Sequence, residues 1–110
     1  MIEKILLDYL NRELDVPVYM EKPSDKPSRY VLIEKTSGGI ENYVNSATIV
    51  IQSYAESMYQ AAFLNETIKK VMEGIIALDA VSKARLNSDY NYTDTSKKQY
   101  RYQAVYDVVY

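Results

Sequence analysis

From Tyr100 to Tyr110 the sequence alternates with a period of two. Tyr100, Tyr102, Ala104, Tyr106, Val108 and Tyr110 fall on one side, and Arg101, Gln103, Val105, Asp107 and Val109 on the other. Successive side chains of a β-strand point to opposite faces, so this run predicts one long strand. A strand of that length needs partners in a sheet and a layer to cover its apolar face. Residues 81–90, with Leu86, Ser88 and Tyr90 at alternating positions, are the nearest partner. The polar stretch 91–98, with Asp94, Thr95 and Ser96 as turn formers, joins the two into an antiparallel hairpin.

Two segments carry helical periodicity instead. In 2–14, Ile2, Ile5, Leu6, Tyr9, Leu10 and Leu14 form one stripe, opposed by Glu3, Asp8, Asn11 and Arg12. Asp15 and Pro17 end it, because a proline pushes its predecessor out of the α region. In 57–76, Ser57 with Gln60 three residues on fits a capping box. Ala61, Leu64, Ile68, Val71, Met72 and Ile75 form the expected core stripe, and Asn65, Glu66, Lys69, Lys70 and Glu73 the expected wet face. Gly74 costs about 1 kcal/mol relative to Ala in a helix, so the last turn is expected to fray.

Between the helices, 18–21 reads as a short strand. The segment 22–28, with Pro23 and Pro27 among polar residues, reads as an extended loop. Residues 29–36 form a clear strand, with Tyr30, Leu32 and Glu34 on one face and Val31 and Ile33 on the other. Ser37-Gly38-Gly39 is a turn signal, and 40–44 either continues a hairpin or forms a loop. The β-branched run in 47–54 (Thr48, Ile49, Val50, Ile51) is expected to be a buried central strand. The order is therefore α-β-β-β-α-β-β in a single domain spanning 1–110. It predicts an α+β fold with two helices packed on a mostly antiparallel mixed sheet.

Composition narrows the chemistry. The chain has no His, no Cys and no Trp, but twelve Tyr. Without His or Cys, the usual zinc sites, disulfides and Ser–His or Cys–His nucleophile pairs are excluded. The expectation is no catalysis, no metal and no cofactor. Glu34, Glu41, Glu56, Asp89, Asp94 and Asp107 are the candidate carboxylates outside the helices, and no pair of them has a spacing tied to a catalytic motif. Their expected role is solvated or salt-bridged. Gly38-Gly39 lacks the following helix and Lys of a phosphate cradle; Ile40, Glu41 and Asn42 follow instead.

The net charge of −2 does not supply the positive field of a non-specific nucleic-acid binder. No apolar run approaches the roughly 20 residues of a membrane span. The start, Met1-Ile2-Glu3-Lys4, does not read as a signal peptide, so cytosolic synthesis is expected. The tyrosine side of the last strand has three readings. It stacks single-stranded bases, it packs under the helices as core, or its end rings Tyr100 and Tyr110 sit at a subunit boundary. The polar segments 22–28 and 91–98 are either plain connections or docking arms.

Taken in order, these segments resemble the tail-terminator, or tail-completion, proteins of long-tailed bacteriophages and their prophages. The resemblance covers most of the chain. It begins with the short N-terminal helix and the approach Val16-Pro17-Val18. It continues with the proline-led strand Pro27-Ser28-Arg29-Tyr30-Val31-Leu32-Ile33-Glu34. The run Ile49-Val50-Ile51-Gln52-Ser53-Tyr54-Ala55-Glu56-Ser57, leading to Ala61 in a helix, and the closing strand 100–110 complete it.

The resemblance implies a ring, commonly a hexamer, that ends the tail tube and forms part of the joint to the head. Its expected partners are further copies of itself, the major tail tube protein and the head–tail connector protein. No membrane is involved, and DNA passes only as transiting cargo. The expected location is the virion tail, after synthesis in the host bacterial cytoplasm. On this reading the interface candidates are Tyr30, Glu34, Glu41, Asn42, Tyr43, Lys97, Lys98 and Arg101. The alternative is a stand-alone domain that binds a small molecule or single-stranded nucleic acid on a Tyr-rich sheet face.

Overall fold

The computed structural model describes residues 1–110. Helix α1 (Ile2–Glu13) leads into the two-residue strand β1 (Val18–Tyr19). Strands β2 (Tyr30–Glu41) and β3 (Val44–Ala55) follow. Helix α2 (Met58–Glu73) continues into a 3-10 turn at Ile75–Ala77. Strands β4 (Lys83–Asn91) and β5 (Tyr100–Val109) close the chain. The α+β class and the element order are those the sequence predicts.

The sheet has five strands in the order β1-β2-β3-β5-β4. All neighbours are antiparallel except β1 and β2, which are parallel. β3 is the central strand. The sheet therefore consists of two sequence-local hairpins, β2–β3 and β4–β5, joined along β3 and β5. The chain passes from the first hairpin to the second, β3 to β4, by the crossover through α2.

Both helices lie on one face of the sheet. Ile2, Leu6, Tyr9 and Leu10 of α1, with Leu64, Ile68 and Met72 of α2, pack on Val31, Ile33, Ala47, Ile49, Ile51, Ala104, Tyr106 and Val108. Burying a Leu or Ile side chain contributes roughly 1.5–3 kcal/mol, so this single cluster dominates stability. Side-chain bonds fix the start of α2 and the chain beyond α1. Ser57 caps α2 by accepting from Gln60 N at 3.2 Å, as the capping-box spacing requires. Beyond α1, Asn11 clamps β1: its Oδ1 accepts from Val18 N at 3.0 Å and its Nδ2 donates to Val18 O at 3.2 Å.

Several local expectations are corrected. Ser37-Gly38-Gly39 is not a turn: these residues lie within β2 and pair with Thr48, Ala47 and Ser46. The turn comes later, at Asn42 and Tyr43, whose positive φ values of 50° and 64° suit a two-residue hairpin loop. The ladder with β3 gives the backbone groups of 37–41 that point toward it partners, which a turn at Gly38 would remove.

Leu86, Ser88 and Tyr90 do not share a face. A bulge at Asn87 shifts the register, so Leu86 pairs with the core-facing Tyr106 while Ser88 pairs with Val105. Asn65 and Lys69 are not on a wet face either. Asn65 is 1% exposed, and both side chains are covered by β4 through Asp89. The tyrosine side of β5 is core at its centre, where Tyr106 is buried among α2 side chains, and only half-buried at Tyr100, Tyr102 and Tyr110.

Candidate functional site

Two features of the sheet remain without a covering layer: a projecting hairpin arm and the face opposite the helices. The arm is the distal part of β2–β3. Residues 34–44 are all exposed, although Glu34–Glu41 stay paired with Val44–Val50. The tip of the arm is apolar. Tyr43 is 100% exposed and Ile40 74% exposed, with Val44 beside them. β5 accompanies β3 from Ser46, so only the tip of the arm runs on as two strands, and an apolar tip of that kind gains most when another surface covers it.

The open face is organised by a row of rings and one guanidinium. Tyr30 and Tyr54, paired across β2 and β3, stack at 4.6 Å with an interplanar angle of 5°. Tyr19 meets Tyr30 edge-on at 6.2 Å. On the other side of Tyr54, Arg101 of β5 lies 5.7 Å from the Tyr54 centroid and 4.5 Å from that of Tyr92. Arg101 Nη1 donates to the Tyr54 hydroxyl at 3.0 Å, and its Nε donates to Tyr92 O at 2.7 Å.

The next row is a directed chain of hydrogen bonds. The Tyr54 hydroxyl donates to Gln52 Oε1, Gln52 Nε2 donates to Gln103 Oε1, and Gln103 Nε2 donates to the Tyr90 hydroxyl. The chain runs from Arg101 across three strands. It fixes side-chain directions on a face that has no helix to pack against.

Cations gather at that end of the sheet. Lys22, in the proline-bounded loop, places its Nζ 5.6 Å from the Tyr54 centroid. Its pKa is lowered, first by partial desolvation and then by repulsion from Lys26, Arg101 and Lys97. Asp94 opposes this only weakly. Its carboxylate instead shapes the β4–β5 turn, accepting from Ser96 Oγ at 2.7 Å and Lys97 N at 3.3 Å. Those two bonds, led by Ser96, hold its carboxyl below the usual range.

The remaining carboxylates are placed separately. Glu56 receives two guanidinium nitrogens of Arg29, at 2.6 and 3.0 Å. Asp89 bonds Lys69 at 2.7 Å and Asn65 Nδ2 at 2.9 Å, and these contacts, Lys69 first, lower its pKa. Asp107 accepts from Thr48 and Asn87 on the open face. No group of three or more acidic residues converges as a metal site would require. No helix is long and apolar enough to cross a membrane.

The eight interface candidates therefore divide into three groups. Glu41, Asn42 and Tyr43 come together at the tip of the arm and Glu34 lies at its base, all exposed. Lys97, Lys98 and Arg101 lie at the cationic end, where Lys97 and Lys98 are exposed and Arg101 is held between two rings. Tyr30 is 4% exposed and supports the open face from within. Reasoning from sequence missed Tyr54, Tyr92 and Lys22 as parts of the cationic end. Only the pairing of β3 with β5 brings Tyr54 beside Arg101, and nothing in local spacing announces it. It also missed β4 as an open edge strand nine residues long. No family model matches the chain, and no curated protein matches it.

Proposed function

We propose that this chain is a non-catalytic structural subunit of the phage tail-terminator type. It assembles with copies of itself into a ring that caps the tail tube and helps join tail to head. The observation that carries the reading is the hairpin arm, exposed throughout 34–44 although paired along its length, with Ile40, Tyr43 and Val44 at its apolar tip. Such an arm suits insertion between subunits better than a solitary existence in water. The element order, which follows the resemblance from α1 to the closing strand, supports the same reading.

In this role the tube protein and the head–tail connector meet opposite rims of the ring, and DNA crosses it without being gripped. The mild net charge of −2 suits that passage. The test is assembly on purified tail tubes, viewed by negative-stain microscopy. Rings at tube ends and arrest of tube growth are expected. Tubes of unchanged length, with the protein left free, would remove the assignment.

One observation favours a second reading. Lys26, Lys97 and Arg101 all repel the Lys22 ammonium, and Arg101 lies over the exposed ring of Tyr92. A cationic end with an aromatic ring suits an anionic ligand such as single-stranded nucleic acid. Fluorescence titration with a single-stranded oligonucleotide at low and moderate salt separates the readings. Micromolar affinity that falls with salt supports ligand binding, and no binding at low salt removes it.

A further inference from the structure

We infer that one copy of this chain pairs its β4 strand with the free edge of β2 on a second copy, in one antiparallel register, so that the two sheets run on as one. The inference deepens the self-assembly reading above and rests on it, but it does not depend on the phage assignment.

The two open edges match in length. β1 covers the outer edge of β2 only at Val31 and Leu32. The stretch Ile33–Glu41 is left with an open edge of nine residues. At the other side of the sheet, β4 is itself nine residues, Lys83–Asn91, and its outer edge is also open. Laid end to end antiparallel, Ile33 faces Asn91 of the second copy and Glu41 faces its Lys83. β1 stands where a longer partner strand would have to continue, so it blocks a slip in that direction.

The irregularities of the two strands also match. A bulge interrupts β2 between Lys35 and Ser37, and another interrupts β4 between Leu86 and Ser88. In the end-to-end register the extra residues, Thr36 and Asn87, fall one position apart. A bulge opposite a regular strand disrupts pairing, whereas two neighbouring bulges let both strands bend together.

Facing and charge agree with this register. Lys35 is in line with the core-facing Ile49, and Asp89 with the core-facing Ala104, so the two meet on the helix side. Gly39 and Arg85 lie on the open side, in line with Ser46 and Asp107. Glu41 would face Lys83, and Lys35 would face Asp89; no like charges oppose each other. Glu41, Lys35 and Lys83 are exposed and have no ion-pair partner within their own chain. Opposite charges directly across a sheet stabilise pairing, and like charges oppose it.

The contact is heterologous: two different edges meet, so repetition builds a closed ring or an open filament. It also needs no inversion of the sheet. β2 and β4 already run antiparallel within one chain, so the neighbour keeps the same orientation and its helices stay on the same side.

The absence of native cysteine allows a clean test. A chain carrying Glu41→Cys and Lys83→Cys is purified reduced, examined by sedimentation velocity, then oxidised. Within one chain, β3 and β5 separate the two strands by about 14 Å, beyond the roughly 7 Å limit for a disulfide. Any bridge is therefore between copies. A ladder of covalent oligomers is expected, and little or none for the off-register pair Glu34→Cys with Lys83→Cys.

Equal ladders from both pairs would overturn the register. Oligomers that sediment but do not cross-link would overturn this pairing while leaving self-assembly intact. A chain that stays monomeric and uncross-linked at millimolar concentration would overturn both. As a second measurement, Glu41→Lys or Lys83→Glu alone should weaken association about tenfold, and the two together should restore it. Failure of the double swap to recover would count against the facing of these residues.

Discussion

The hydroxyl of Tyr9 occupies the place where a side chain on Gly74 would begin: a Cβ built there lies 2.9 Å from Tyr9 Oη. The same hydroxyl donates to Val71 O at 2.6 Å, which ties α1 to the C-terminal turn of α2. Gly74 is thus more than a weak helix residue. It makes room for the contact between the helices.

Gly74→Ala should therefore destabilise the fold by about 1–3 kcal/mol through overpacking, although Ala is the better helix former. Tyr9→Phe alone should cost about 1 kcal/mol for the lost hydrogen bond. The two combined should cost less than their sum, because the Phe ring leaves space for the new methyl group. Urea denaturation of the three variants measures this. Strict additivity would mean that the two sites do not share that space.

Tyr43 at the tip of the arm has φ 64°, a conformation that a bulky residue holds only at a cost. Tyr43→Gly should relieve about 1 kcal/mol locally. The arm amides, such as that of Val44, should then exchange hydrogen more slowly. The thermal midpoint should barely move, since the arm lies outside the core cluster. Unchanged exchange would show that the tip is not strained.

Asp89 titrates below its ordinary value because Lys69 and, secondarily, Asn65 bond its carboxylate. A depressed folded-state pKa stabilises above the unfolded value, and that contribution is lost as pH falls through the folded one. Acid below about pH 4 should therefore weaken the native state in part through this group. Asp89→Asn should cost about 1 kcal/mol at pH 7 and make stability less sensitive to acid. A variant with the same acid sensitivity as the parent chain would contradict the assignment.

Tyr106 is pushed up to about 12 by burial. Its folded-state value is raised, so the stabilising effect is full below about pH 10 and is lost as pH rises toward 12. The whole effect is about 3 kcal/mol. Tyr106→Phe should keep neutral-pH stability nearly unchanged and remove this part of the alkaline loss. Circular dichroism of the parent chain and the Phe variant through an alkaline titration tests it: the variant should keep its structure to higher pH.

Arg101 lies over the rings of Tyr54 and Tyr92 and bonds both residues. Arg101→Lys should lose about 1–2 kcal/mol despite keeping the charge, because a point charge cannot reproduce the planar fork. Arg101→Glu would therefore disturb the folded chain as well as any contact it makes. Chemical denaturation checks the first point, and equal stability of the Lys variant would sink it.

What the sequence made legible follows physical range. Period-two alternation in 100–110, helical stripes at Leu6 and Ile68, and the Ser57 cap are local signals, and each appears in the fold as read. Gly38-Gly39 misled because glycine marks both turns and weak strands. The choice was made by the Asn42-Tyr43 loop and by pairing with Ala47 and Ser46. The bulges at Thr36 and Asn87, the cover of β4 over Asn65, and the meeting of Tyr54 with Arg101 depend on strand neighbours far away in sequence. Half of the candidate site was therefore visible in advance: the arm residues Glu41 to Tyr43, and Lys97, Lys98 and Arg101. The open edge of β4 and the cationic contribution of Lys22 required the sheet order.

The seam between β3 and β5 also bears on how the chain reaches this structure. Each hairpin closes a short loop and can form early, but the seam joins residues such as Ile51 and Ala104 across about half of the chain. Loop closure of that length is entropically costly before its contacts repay it, so docking the two hairpins should limit the folding rate. Truncating Ile51 to Val should slow refolding measurably. A change at Ile40, out on the arm, should leave the refolding rate nearly untouched. The protein would then behave kinetically as two preformed halves awaiting one rare encounter.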